Sequence, residues 1–111
     1  MIIVSVMYPY QENSHFDMEY YQHSHRSLVK ERLGDALKGF SIEQGISSSE
    51  SDEKPRYVAI ARLLFDSHDA FAAAMGPHQE EFTQDVANFT NLTPSMQISE
   101  LVVSLDDQNY R

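Results

Sequence analysis

Two segments of this chain, Ile2–Tyr8 and Arg56–Phe65, are apolar on both of their alternating faces. In the first, Ile2, Val4, Val6 and Tyr8 fall on one side, and Ile3, Ser5 and Met7 on the other. In the second, Tyr57, Ala59, Ala61, Leu63 and Phe65 alternate with Val58, Ile60, Arg62 and Leu64. A period of two marks a strand, and strands apolar on both sides belong inside a sheet covered on both sides. The chain offers only two helical segments to do the covering. Asp17 caps the first, which runs to about Leu33, with Phe16 and Tyr21 placed as a hydrophobic staple. Tyr21, Leu28 and Val29, with Arg32 beside them, follow the helical period, Lys30 and Arg32 suit the C-terminal end of the dipole, and Gly34 stops the helix. The second begins at His68 behind a cap at Asp66 or Ser67. Gly76-Pro77 breaks or kinks it, and it continues to about Val86.

Leu37–Gly45 and Gln97–Leu105 read as the remaining strands, which makes the order β-α-β, β-α-β. That order predicts an α+β, ferredoxin-like fold: a four-stranded antiparallel sheet with both helices on one face. The other face has no third helix, and soluble monomers rarely leave a large apolar patch wet. Two sheets packed face to face solve the problem, so the pattern predicts a homodimer enclosing a barrel-like interior. A length of 111 residues fits one domain, with its core at about 1–105. The polar tract at 47–55 is expected to be a mobile hairpin loop, and 106–111 a frayed tail.

With no cysteine, the chain has no disulfide, thiolate metal site or nucleophilic thiol. A net charge of −9 disfavours nucleic acid and anionic membrane surfaces. No basic n-region or long apolar run is present, which predicts a cytoplasmic protein without signal peptide or membrane span. Asn88-Phe89-Thr90 and Asn91-Leu92-Thr93 then match the glycosylation pattern by chance.

Candidate chemistry centres on His25, which shares the stripe of the first helix with Tyr21 and Leu28. An imidazole on a partly apolar face can move a proton near neutral pH; its plain alternative is a core histidine with satisfied nitrogens. His78 follows Phe71 and Met75 and precedes Phe82 on one face if the helix survives Pro77. Equally, it is a histidine held at a helix start. Tyr8, Tyr21 and Tyr57 are lining candidates able to orient a phenol or carbonyl, or simply packing residues. Arg62, between Ile60 and Leu64 on its face, is placed to hold a carboxylate or enolate, or else to pair with a local glutamate such as Glu100. Asp17, Asp66 and Asp69 read as caps and first-turn charges, and His15, His23 and His68 as solvated. No metal-ligand spacing and no phosphate-binding glycine motif is present, so neither a metal nor a bound cofactor is predicted.

Phe16-Asp17, Tyr20-Tyr21, His25 and Leu28-Val29 resemble the Phe-Asp…Tyr-Tyr…His-x-Pro-Leu-Val helix of EthD-domain proteins. Leu33-Gly34…Leu37-Lys38-Gly39-Phe40 continues the match, as do Phe65-Asp66-Ser67 with Ala70-Phe71, Gly76-Pro77-His78, Asn88-Phe89-Thr90-Asn91 and Gln97-Ile98-Ser99-Glu100. The similarity covers residues 1 to 104, in order. It implies the dimeric α+β barrel superfamily and a nominal oxidoreductase associated with ether degradation. Structural relatives in that superfamily include cofactor-independent monooxygenases, isomerases and cyclases. Ser27 stands where the family usually has proline. The resulting expectation is a small enzyme acting on an apolar, aromatic or carbonyl compound. His25 would transfer the proton, and Tyr21, His78, Tyr8, Tyr57 and Arg62 would contact substrate. The alternatives are a non-catalytic small-ligand or accessory protein for an oxidase, and a haem-binding barrel protein.

Overall fold

The computed structural model describes residues 1–50 and 54–105. Residues 51–53 of the polar tract, and the tail 106–111, lie outside the described residues. Four strands, β1 (Ile2–Pro9), β2 (Gly39–Gln44), β3 (Tyr57–Phe65) and β4 (Ser95–Glu100), form one antiparallel sheet in the order β2-β3-β1-β4. The two strands apolar on both faces are the central pair. Val4 lies opposite Leu63 on β3 and Ile98 on β4. That register puts Val4, Tyr8, Ala59, Ala61, Leu63 and Phe65 on the helix-covered side, all of them buried. The topology is that of an α+β, ferredoxin-like fold.

The first helical stretch is less regular than its sequence suggests. It opens as α1 (Met18–Tyr20), widens into a π-helical turn at Tyr21–His25, and continues as α2 (Arg26–Leu33). Asp17 caps it through the Tyr20 N–H at 3.1 Å, and the rings of Phe16 and Tyr21 meet edge-on at 5.0 Å. Gly34 ends it at φ +57°, a conformation that suits glycine. Ser67 caps α3 (His68–Met75) through the Ala70 N–H. A 3₁₀ turn at Gly76–His78 then joins α3 to α4 (Gln79–Val86), so proline bends the stretch without ending it.

The last strand begins at Ser95 and stops at Glu100, earlier at both ends than the expected Gln97–Leu105. At its C-terminal end Glu100 pairs with Ile2, the first residue of β1, and the Leu101 N–H reaches the Met1 carbonyl. Val102, Val103 and Leu105 are correspondingly exposed. On the outer face Ile3, Met7, Ile60 and Leu64 are half-buried, and Arg62 pairs there with Glu43 on β2 and not with Glu100.

Phe89 and Thr90 are buried, although 88–94 reads as a loop. Thr90 donates its hydroxyl to the His15 carbonyl at 2.6 Å and accepts the Leu92 N–H, while Asn91 accepts the His15 N–H. The two asparagine-containing triplets therefore latch the β1–α1 connection.

Gly45 illustrates how tightly β2 meets β3. A Cβ there would collide with the Tyr57 carbonyl and lie 2.8 Å from the Pro55 Cβ. Gly45→Ala is expected to destabilise the fold by about 1–3 kcal/mol through overpacking. Gly76→Ala has open space at its Cβ and serves as the control in thermal unfolding.

Candidate functional site

Between the sheet and the helices lies a cavity of about 140 Å³. Its walls are apolar, built from Val6, Val29, Leu63, Phe71, Met75 and Val86 among others. The polar groups reaching it are Tyr8, Tyr21, His25, Gln79 and Thr83. Its volume is close to that of a dry apolar cavity of about 150 Å³ that holds one benzene molecule.

His25 is the only titratable imidazole on this wall. It is 7% exposed overall, and its Nδ1 lies 2.8 Å from Oδ2 of Asp85 on α4. Asp85 is held from its other side too. Its Oδ1 accepts from the Tyr20 hydroxyl at 2.7 Å and from the Asn88 amide at 2.9 Å. Burial alone would raise the Asp85 pKa, and it is the largest single influence. The hydrogen bonds from His25, Asn88 and Tyr20 together outweigh it and leave the carboxyl below its usual range. An ionised carboxylate can only accept, so Nδ1 carries the proton, which leaves Nε2 as the nitrogen able to hold a lone pair.

The π-helical turn helps to aim this ring. The Arg26 N–H bonds back to the Tyr21 carbonyl, five residues earlier, and the wider turn stacks the Tyr21 and His25 rings with 18° between their planes. Inserted π turns recur at functional sites. Phe89 completes the clamp, its ring 4.8 Å from those of both His25 and Tyr21. Tyr8 and Tyr21 interact through their hydroxyls, and burial pushes the pKa of each well above the phenolic value. They stay neutral donors across physiological pH.

The geometry thus brings His25, Tyr21 and Tyr8 together. It does not bring in the other three expected residues. The tighter 3₁₀ turn shifts the helical phase after Met75, so Gln79 takes the wall position and His78 turns aside to Phe82 and to Glu81, 4.0 Å away. Tyr57 sits at the strand end, opposite Pro9 past a register shift, beyond the cavity lining. Arg62 is on the opposite face of the sheet, with Glu43. Asp85, Tyr20 and Asn88 were not expected as site residues. A signal was present: Phe82, Asp85 and Phe89 share a helical spacing, which places a carboxylate on an apolar stripe. Among the described residues, no group of three or more His, Asp or Glu side chains is placed to hold a metal ion. No helix among them is long and apolar enough to cross a membrane.

The depressed Asp85 pKa has a consequence for acid stability. Its hydrogen bonds stabilise the fold fully above the unfolded aspartate pKa, about 3.9, and are lost as pH falls through the lower folded value. Asp85→Asn should therefore melt lower than the wild type at pH 5–7, and the gap should close as pH drops below about 4. A gap independent of pH would refute the ionised assignment.

A sheet with two helices on one face, an apolar cavity beneath them and a His–Asp pair on its wall define a small α+β protein with a ligand-sized cavity. Residues 13–93 match the EthD domain family. The chain is similar to an EthD-like protein from Ralstonia eutropha JMP134, with 43% identity over 96% of each chain and a TM-score of 0.89. The chain belongs to the EthD-domain family. It also shares its fold with an EthD family protein from Bacillus halodurans C-125, at 15% identity over 90% of this chain and 97% of that one, TM-score 0.65. SnoaB, a cofactor-independent oxygenase from Streptomyces nogalater, shares the fold at 11% identity over 96% of each chain, TM-score 0.62. Among curated proteins, none matches the chain.

Proposed function

We propose that this protein is an EthD-type enzyme that removes a proton from a small, largely apolar aromatic or carbonyl compound, with His25 as the base. The observation that carries this reading is the His25–Asp85 pair on the wall of an apolar cavity. Asp85 fixes the tautomer, so Nε2 takes the proton from a C–H next to a carbonyl. The Tyr8 hydroxyl, which accepts from Tyr21, donates its own proton to the oxygen that becomes an enolate. Among the described residues, no Asp, Glu, Lys or Arg side chain lines the cavity, which favours an uncharged substrate. His78, Tyr57 and Arg62, being off the wall, have no part in this step.

Proton abstraction is the first step shared by oxygenation, isomerisation and cyclisation of such compounds, and it needs no bound cofactor. The fold-level likeness to a cofactor-independent oxygenase lends weight to an oxidative outcome, with molecular oxygen as co-reactant. The test is hydrogen–deuterium exchange at the methyl group of acetophenone in D₂O, followed by NMR. Wild type should accelerate it and His25→Gln should not. Equal rates with the two proteins would reject the reading.

The protomer also pairs, in this reading, with a second copy over the outer face of the sheet. Ile3, Met7, Ile60 and Leu64 support this, since no described helix covers them. Sedimentation at micromolar concentration is expected to give about twice the 12.7 kDa chain mass. A folded monomer at that concentration would contradict it.

A further inference from the structure

Gln79 and Thr83 lie one turn apart on α4 and both contribute to the cavity wall. Both are exposed, as is Met96 on β4, so the three mark the mouth of the cavity between α4 and β4. Neither the Gln79 amide nor the Thr83 hydroxyl makes a hydrogen bond to another described residue. Elsewhere on α4 the polar side chains are engaged: Glu81 with Arg32, Gln84 with Glu80, and Asp85 with His25. Two uncommitted neutral groups therefore face an otherwise apolar mouth.

Their distance from the His–Asp pair fixes what they would recognise. Gln79 precedes Asp85 by six residues, about 9 Å along a helix axis, and Thr83 precedes it by two, about 3 Å. Phe82, from the turn between Gln79 and Asp85, adds an apolar ring to the wall. A single aromatic ring with polar substituents at opposite ends spans such an interval. Its inner group meets His25, Tyr21 and Tyr8, and its outer group meets Gln79, with Thr83 one turn further in beside it.

We propose that Gln79 and Thr83 form a specificity subsite for a second, uncharged polar substituent. The ligand is thereby a neutral one-ring aromatic ketone bearing a hydroxyl group para to its carbonyl. This rests on the reading of His25 as the base, because that end of the cavity receives the carbonyl. Gln79 supplies both a donor and an acceptor, and Thr83 supplies a hydroxyl that can do either, so a phenolic hydroxyl is matched whichever way it points. A carboxylate in the same place would meet two neutral groups and no cation, and it would lose its hydration without an ion pair.

The test compares three ketones of similar shape, 4-hydroxyacetophenone, 4-methylacetophenone and 4-acetylbenzoate, by NMR titration at pH 6.5. Wild type should bind the hydroxy compound about five- to tenfold tighter than the methyl compound, the effect of a neutral hydrogen bond at a partly wet site. The Gln79→Leu/Thr83→Val double variant should bring the two within about twofold. Gln79→Ala and Thr83→Ala, each exposed on a helix that favours alanine, give the same comparison should the double variant not fold. His25→Gln should retain the preference while losing exchange. No preference in wild type, a preference that survives the double variant, equal binding of 4-acetylbenzoate, or no binding of any of the three overturns the subsite. Exchange without the preference defeats the subsite alone, whereas the preference without exchange defeats only His25 as base.

Discussion

Phe89→Ala is expected to destabilise the protein by about 3–5 kcal/mol, the cost of removing a buried phenyl ring from a core that collapses only in part. For a domain of this size that lowers Tm by more than about 10 °C at fixed protein concentration. Few residues here are so enclosed: Phe89 is 1% exposed. Its ring meets those of Tyr8, Phe16, Tyr20, Tyr21 and His25. Its main-chain carbonyl also accepts the Asp17 N–H at 2.7 Å, which ties the segment after α4 to the start of α1. Alanine keeps that backbone bond and loses every ring contact. The loss should fall on the site as well as on stability, because the ring is one wall of the clamp around His25. Phe89→Leu, which keeps most of the volume, should cost less than half as much. A Phe89→Ala protein within about 1 kcal/mol of wild type would mean that this cluster does not organise the core.

The strands and helix caps were legible because each rests on local chemistry. Alternation fixed the faces of β1 and β3, and Asp17, Gly34 and Ser67 ended or began helices where their side chains or backbone freedom allow. What the letters hid depended on contacts between distant segments. Thr90 reads as part of a polar loop, and only the folded chain shows its hydroxyl bonded to the His15 carbonyl, 75 residues away. β4 ends at Glu100, opposite Ile2 of β1, although the apolar residues Val102 and Val103 follow it. Periodicity alone sets His78 on a face with Phe71, Met75 and Phe82, and it carries no warning of the 3₁₀ turn that changes the residue count there. The site shows the same division. His25, Tyr21 and Tyr8 followed from periods within their own elements. Asp85 needed the pairing of two helices 60 residues apart in sequence. Sequence reasoning thus supplied the imidazole without the carboxylate that gives it a defined tautomer.

That carboxylate changes how His25 must be tested. Were the histidine only packing, His25→Gln would strand a partner and cost about 1–3 kcal/mol. Because His25 donates to Asp85, the substitution costs stability under either reading, and melting temperature does not separate them. Rate does. If Nε2 is the base, His25→Gln should slow methyl exchange of acetophenone by roughly 10²–10⁴-fold, the usual yield of a positioned general base. Asp85→Asn keeps the shape but can present its amide N–H to Nδ1, which moves the ring proton to Nε2 and removes the lone pair. A loss of the same order is expected there. Tyr20→Phe should lose much less, since Asp85 keeps His25 and Asn88 as donors. The order of these three variants carries the discrimination. A packing histidine predicts exchange rates that follow the fraction folded, whereas a base oriented by Asp85 predicts that Asp85→Asn resembles His25→Gln at temperatures where all four proteins are fully folded. Nitrogen-15 NMR of the ring gives an independent check: wild type should show the proton on Nδ1 and Asp85→Asn on Nε2. Unchanged exchange in folded Asp85→Asn, with the ring tautomer reversed, would remove His25 from the chemistry.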